Sequence, residues 1–325
     1  MFRFGAVYMM RVARPRTGYK WGAGNGMVMM GLLSELIGNR CVNPPGGEMR
    51  SIETVRRYLR RRGVDCVVYE SAPGRGNLVA KISGTSGGPR LMFGPGHVDV
   101  APVEKPGEWT VDPFGAAVRD GYVWGRGSHD MLFMVAAHVQ AFADLHATGF
   151  TPRGSLTLLL VCDEEDEGAY GTGWMLENHP EALQVDYAVS EAGGWPREPG
   201  EMVFTHRETG GGSSPTESGF VDALTRAVRA ETPGVALVPE TMPGRTDFRY
   251  LRPLGVECYG YGLYDPETPR ESMRVHAPNE RVSLKTLELT RRACLRLAMD
   301  VLGPSTRQTT REKRPTKTLN DTTSS

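Results

Sequence analysis

Apolar and polar residues alternate along this chain in short blocks whose period switches repeatedly between helical and extended. Val28, Leu32, Leu33, Leu36 and Ile37 fall near helical spacing and predict a helix over 27–37. The run Asn43-Pro44-Pro45-Gly46-Gly47 ends that region. A second helix is predicted over 52–62, with Ile52, Val55, Tyr58 and Leu59 inward and the cluster Arg56, Arg57, Arg60, Arg61 and Arg62 on a solvated face. Short strands are predicted at 66–69, 77–82, 91–93 and 122–124. A helix over 131–146 should bury Met131, Met134, Val135, Val139, Phe142 and Leu145 on one side.

The clearest strand is Ser155-Leu156-Thr157-Leu158-Leu159-Leu160-Val161-Cys162, nearly all apolar, as in a central strand covered on both faces. Helices at 171–178, 220–230 and 284–302 and strands at 187–189, 202–204, 235–238 and 256–259 complete the pattern. Between them, Thr209-Gly210-Gly211-Gly212-Ser213-Ser214-Pro215 reads as a flexible connector. Strands alternating with helices predict an α/β protein with a largely parallel central sheet.

Ligands in such sheets sit beyond the carboxyl ends of the strands. His97 follows the apolar run Leu91-Met92-Phe93 and the turn Gly94-Pro95-Gly96, and Asp99 stands at i+2, where an extended chain faces it the same way. Asp163-Glu164-Glu165-Asp166-Glu167 follows the central strand, and these acids repel one another unless a cation sits among them. Glu191 lies just past the 187–189 strand, and Asp130 ends the loop Gly125-Arg126-Gly127-Ser128-His129 before a helix start. Two histidines, His97 and His276, with Asp130, Glu165 and Glu191 suit zinc, which takes imidazole and carboxylate ligands. Five such ligands exceed one tetrahedral shell and suggest two metals sharing a bridging carboxylate. The bland alternative for each acid is a solvated loop carboxylate. His129, His138 and His146 are read as structural or solvent-facing.

Composition narrows the partners. With 38 basic and 38 acidic residues the net charge is +0, giving no electrostatic case for nucleic acid or an acidic membrane. The 325 residues allow one large or two ordinary domains. The five cysteines are scattered with no C-x-x-C, which fits a reducing cytoplasm. No apolar run approaches the ~20 residues of a membrane span. Residues 1–26 are basic and lack acids, a bias shared with transit peptides, but they read best as a poorly structured extension ahead of Met27. From Pro304 to the end, Thr, Ser, Lys and Arg dominate, predicting a disordered tail over 304–325.

Taken together in chain order, these motifs resemble a known family. They are Asn43-Pro44-Pro45-Gly46, Gly96-His97-Val98-Asp99-Val100, Trp109 with Asp112-Pro113-Phe114, Gly125-Arg126-Gly127 with Asp130-Met131, Asp163-Glu164-Glu165, Ser190-Glu191, Thr246-Asp247 with Arg249, and His276 with Asn279-Glu280. The family is that of acetylornithine deacetylase, succinyl-diaminopimelate desuccinylase and glutamate carboxypeptidase, di-zinc amidohydrolases. The resemblance runs from about Leu32 to about Val301 and implies a three-layer αβα catalytic domain over 27–303. It implies that His97 and Glu191 hold one zinc, that Glu165 and His276 hold the other, and that Asp130 bridges both. Asp99 would orient His97 and Glu164 would be the general base. Asp247 and Arg249 would be pocket residues or an internal ion pair. The implied reaction is metal-assisted hydrolysis of the amide bond of an N-acyl amino acid or small peptide, with cobalt or manganese able to replace zinc.

Two departures qualify that expectation. Family members carry an inserted lid and dimerisation domain, which supplies a histidine for the oxyanion and a basic group for the substrate. Here a connector near 206–216 stands in its place, so a monomer is expected, and His206 and Arg207 are the nearby groups that could substitute. The family also continues Asp-Met-Lys-Gly, whereas this chain has Asp130-Met131-Leu132-Phe133. An enzyme open to larger substrates and a metal-binding protein of the same fold with little or no turnover are the two readings that follow.

Overall fold

A computed structural model describes residues 23–269 and 272–303. Helices α1 (Ala23–Gly38) and α2 (Met49–Arg60) open it. Strands β1 (Cys66–Ala72), β2 (Arg75–Ser83) and β3 (Thr85–His97) follow, then two short strands, β4 (Ala117–Arg119) and β5 (Tyr122–Trp124), and helix α3 (Leu132–Ala147). Next come β6 (Arg153–Val161), α4 (Thr172–Asn178), β7 (Tyr187–Ser190), β8 (Glu201–Glu208), α5 (Gly219–Glu231) and β9 (Ala236–Met242). The single turn α6 (Phe248–Leu251), β10 (Glu257–Gly260), β11 (Arg281–Ser283) and α7 (Leu284–Leu302) close the chain.

The main sheet has eight strands in the order β1-β2-β6-β3-β7-β10-β8-β9. Its centre, β6-β3-β7-β10, is parallel. Antiparallel pairings flank that centre, β1 with β2 and β2 with β6 on one side and β8 with β10 on the other, and β9 lies parallel to β8. A separate three-stranded antiparallel sheet joins β11, β5 and β4.

Alternation along the central strands feeds two cores, because successive side chains of a strand point to opposite faces. Leu91, Phe93, Leu156, Leu158, Leu160, Val189 and Tyr259 pack with α1, α2, α3, α5 and α7. Met92, Leu159, Val161, Ala188 and Cys258 pack with Met175 of α4 and with Phe248 and Leu251 of α6. Helices on both faces make three layers, and a parallel centre buried on both sides explains why β6 is apolar almost throughout.

Several elements differ from the expectation. Helix α1 begins at Ala23, ahead of Met27, and Val28 is 40% exposed rather than inward. Of the poorly structured extension predicted over 1–26, residues 23–26 instead form the first turn of α1, while 1–22 and the predicted tail over 304–325 lie outside the described residues. Helix α3 is buried on every side, including Leu132, Phe133, Ala136, Ala137 and His138. It lies between α1, α7 and β3, so it has no solvent face to keep polar. Strand β8 runs on through His206 and Arg207 to Glu208, so the link to α5 is 209–218. That link is not free. The Ser214 amide donates to the His206 carbonyl at 2.8 Å, and Ser214 Oγ donates to the Cys258 carbonyl at 3.0 Å. Among the described residues, no helix is long and apolar enough to cross a membrane.

Candidate metal centre

The site is assembled at the carboxyl ends of three neighbouring strands. His97 is the last residue of β3 and pairs in register with Val161 of β6. Asp163, Glu164 and Glu165 follow β6, and Glu191 follows β7. Asp130 precedes α3, and His276 comes from the loop between β10 and β11, with φ of 57°.

These residues converge. His97 Nε2 lies 3.3 Å from Asp130 Oδ1 and 3.4 Å from Glu191 Oε2. His276 Nε2 lies 3.1 Å from Asp130 Oδ2 and 3.1 Å from Glu165 Oε2. One nitrogen and two carboxylate oxygens therefore face each other in each of two groups, within 4.8 Å, and Asp130 offers one oxygen to each.

A small number of buried polar groups hold this arrangement. His97 Nδ1 is 3.1 Å from the Asp99 carbonyl oxygen and 3.5 Å from Asp99 Oδ1. The same Asp99 carboxylate accepts from Asn43 Nδ2 at 2.9 Å and from the amides of Glu164 at 3.3 Å and Glu165 at 3.1 Å. One carboxylate thus aims the imidazole and pins the acidic loop. The Ala101 amide donates to Glu165 Oε1 at 2.9 Å, which turns Oε2 toward His276. Asp163 is buried and paired with Arg75, which also meets Glu48 at 2.9 Å. Arg75 supplies the cation that the acidic run requires at its first member.

A second fastening joins the loops of Asp130 and His276. Arg126 Nη1 meets Glu280 Oε2 at 2.6 Å, both fully buried, and Arg126 Nη2 donates to the carbonyls of His276 and Pro102 at 3.1 Å. Glu280 also accepts from the amides of Gly127 (3.2 Å), His129 (2.8 Å) and Asp130 (3.1 Å). Gly127 is required here: its φ is 80°, and a Cβ would strike Val100.

Electrostatics sort the groups. Burial works against a charged His97, yet Glu191, Asp130 and Asp99 raise its pKa well above the ordinary value. Burial likewise opposes ionised Asp130, but hydrogen bonds from His276 and His97 hold it well below the usual carboxylate range. Contacts to Asp130 and Glu165 push His276 up to about 10. Burial pushes Glu191 up to about 7. Burial and the Glu191 carboxylate push Glu164 well above the usual range. Carboxylates this crowded, with imidazoles turned inward, have the donor chemistry of a site for divalent cations.

Two cavities open beside the cage. One, of about 370 Å³, is lined by Glu164, Glu165, Asp166, Glu167, Arg245 and Arg249. The other, of about 410 Å³, reaches Asp130 and Glu191 and is walled by apolar side chains.

Each metal-ligand candidate, with Asp99 and Glu164, is thus in one neighbourhood. Asp247 and Arg249 divide. Arg249 lines the first cavity, whereas buried Asp247 accepts from Thr172 Oγ1 at 2.8 Å and stands 3.8 Å from Arg249. Burial pushes Asp247 up to about 6. His206 lies 3.2 Å from the Ser214 carbonyl, and neither it nor Arg207 lines either cavity, so the expectation that they replace lid groups finds no support there. His138 is buried and stacked on Phe93 at 5.1 Å. Sequence reasoning missed the Arg126–Glu280 pair, Arg245 and the apolar cavity. The pair sits in two quoted motifs, Gly-Arg-Gly and Asn-Glu, and that was its one available signal.

The family profile described as Peptidase family M20/M25/M40 matches residues 95–300. A succinyl-diaminopimelate desuccinylase from Wolbachia sp. subsp. Brugia malayi (strain TRS) is 35% identical over 165 residues, 49% of this chain and 39% of that protein. Its counterpart in Parvibaculum lavamentivorans is 37% identical over 142 residues, 42% of this chain and 35% of that one. The matched part of the chain thus spans well under half the length of these curated relatives. An M20 family metallo-carboxypeptidase from Sulfolobus solfataricus superposes with a TM-score of 0.65 at 13% identity, covering 83% of this chain and 98% of that one. Human carnosine dipeptidase 1 does so with a TM-score of 0.66 at 10% identity, covering 85% and 97%. At such identities the likeness to the two solved structures is one of fold.

Proposed function

The chain belongs to peptidase family M20/M25/M40, and on that premise we propose that it is a metal-dependent hydrolase of an amide bond in an N-acyl amino acid or small peptide. The observation that carries this reading is the pair of ligand groups sharing Asp130, with Glu164 beside them. His97 and Glu191 would hold one zinc ion, Glu165 and His276 the other, and Asp130 both. Such a pair supplies Lewis acidity toward a carbonyl oxygen and acidifies water.

The chain's own residues do the rest. Glu164 is half-buried at the mouth of the first cavity, and burial with the Glu191 carboxylate raises its carboxyl above the usual range, which makes it a stronger proton acceptor. It takes a proton from water as the water oxygen bonds to the acyl carbon. It returns that proton to the nitrogen as the carbon–nitrogen bond breaks, leaving a carboxylic acid and an amine. Asp99 keeps His97 in register. Arg249, with Arg245 beyond it, faces the cavity that Glu164 lines and suits the carboxylate of the departing amino acid. Asp247 braces Arg249 from behind.

The step from β8 to α5 through 209–218 leaves no room for an inserted lid domain, which favours a second reading, a metal-binding protein with little turnover. The loss of one oxyanion donor typically costs about 100- to 1000-fold in rate. We take the enzyme reading, in a monomer of the reducing cytoplasm, which the free thiols of Cys41, Cys66, Cys162, Cys258 and Cys294 suit. The test combines zinc per chain with hydrolysis of a panel of N-acyl amino acids and dipeptides. Hydrolysis lost in Glu164→Ala with both zincs retained is the expected result. Two zincs with no hydrolysis of any compound would leave the binding protein.

A further inference from the structure

The apolar cavity has a composition that narrows the substrate. Phe133, Met134, Trp195, Tyr264 and Met273 are buried in its wall, and half-buried Met242 stands at its edge. The aromatic part is rigid: Phe133 meets Tyr264 edge-on at 5.5 Å, and Trp195 meets it at 6.5 Å. The Tyr264 hydroxyl is already engaged, 3.2 Å from His129 Nε2. The cavity also touches Asp130 and Glu191, so whatever fills it lies against the reacting centre.

We propose that this cavity receives the acyl chain of the substrate, and that the chain is apolar, a medium-length alkyl or aryl-alkyl group without a terminal carboxylate. The inference rests on the amide hydrolysis proposed above. Glu164 returns a proton to the leaving nitrogen, so the amine side of the scissile bond lies where Glu164, Arg249 and Arg245 line the first cavity. The acyl side then extends toward the other cavity, which the first shares no lining residue with. A distal carboxylate there would meet the Met and aromatic side chains of the wall. The one arginine in that lining, Arg274, donates Nε to the Pro278 carbonyl at 2.6 Å and is exposed, so an ion pair from its remaining donors would be screened by water and contribute little. Desolvating a carboxylate in such a pocket without a partner is costly, whereas methylenes and rings are favoured. Phe133 is the specificity-determining residue, because it closes the wall between Tyr264 and His129.

The test uses the zinc-loaded full chain and one amino acid carrying N-hexanoyl, N-(3-phenylpropanoyl), N-acetyl or N-succinyl groups. We expect kcat/KM for the hexanoyl and phenylpropanoyl compounds to exceed the succinyl value about tenfold or more, a size typical of apolar-pocket discrimination. Phe133→Ala should shrink that ratio. If it does not fold, Met242→Ala at the edge tests the same wall. Binding is read separately, with 3-phenylpropanamide and succinamate titrated against Trp195 fluorescence and Trp195→Phe as the blank. Hydrolysis with succinyl equal or preferred, above all if Arg274→Gln abolishes it, overturns the apolar cavity and leaves the hydrolase reading standing. Tight 3-phenylpropanamide binding with no hydrolysis of any compound supports the cavity and overturns the hydrolase. Failure of both binding and hydrolysis overturns both.

Discussion

The two halves of the cage are built in different ways. His97 and Glu191 stand directly at the ends of β3 and β7, adjacent parallel strands. The His97 side chain is 1% exposed, and Asp99 lies against its second nitrogen. His276 arrives on a loop, and its side chain is 51% exposed. The sheet-borne half is placed by strand register, which many backbone hydrogen bonds share. The loop-borne half is placed by a few long-range side-chain contacts, chief among them the buried Arg126–Glu280 pair and the amides it gathers. Side chains held by many backbone contacts tolerate the loss of any one, while a side chain held by a few tolerates it less.

The strongest way to break that contrast is Arg126→Met. Breaking a buried pair by removing one partner typically costs about 3–5 kcal/mol, because the other charge is left unpaired. Here the stranded group would be Glu280, whose carboxyl burial already pushes up to about 7. We expect a loss of that size in urea unfolding, with zinc falling from two ions to one per chain as the His276 half opens. Two tightly held zincs in a stable Arg126→Met protein would show that the loop places itself. Glu280→Gln sharpens the same point, since its one oxygen can still accept from the His129 and Asp130 amides while the charge and the acceptor for Arg126 and Gly127 are lost.

Asp99→Asn probes the other half and should do less. Loss of a group that orients a metal-binding imidazole usually weakens metal affinity about 10- to 100-fold, or about 1.4–2.7 kcal/mol. Chelator competition should show one ion released more easily, the one His97 shares with Glu191, with the fold intact. A loss of both ions together would mean that the halves are not independent, joined through the shared Asp130 or through the Glu165 amide that Asp99 also holds.

The same contrast governs what could be read from the chain. His97, Asp99, Glu164, Glu165 and Glu191 were legible because each stands at or just past the end of an apolar strand, and α/β sheets put their sites there. The pairing of His97 with Glu191 and of Glu165 with His276 came from the family resemblance; in the structure each pair lies in one group with Asp130. Arg126, Glu280 and Arg75 were not legible as fastenings, since each acts with a partner remote in sequence and no local period marks such a contact. The all-round burial of α3 was missed because its stripe of large residues obscured the Ala136, Ala137 and Ala141 face, which suits close helix packing as well as solvent. The three-residue strands β4 and β11 exist only through pairing with β5.

The smallest effect worth measuring lies at Asn279, in the loop-borne half. Its side chain accepts from the Thr110 amide and hydroxyl at 2.8 Å and donates to the Glu108 carbonyl at 3.0 Å, while its φ is 64°. Two contributions are therefore combined in one residue, a side-chain clamp on the 106–110 segment and a tolerated left-handed backbone. Asn279→Gly keeps the backbone and removes the clamp's three exposed hydrogen bonds, and should cost about 1–2 kcal/mol in all, each bond falling at or below the low end of the usual net worth of roughly 0.5–1.5 kcal/mol. Asn279→Ala also adds left-handed strain of roughly 1–2 kcal/mol. Urea midpoints should rank wild type above Asn279→Gly above Asn279→Ala, with zinc at the His276 position weakened in the same order. Equal losses in the two variants would assign the whole effect to the clamp. An unchanged zinc affinity in both would show that the Arg126–Glu280 pair alone fixes the height of His276 above the sheet.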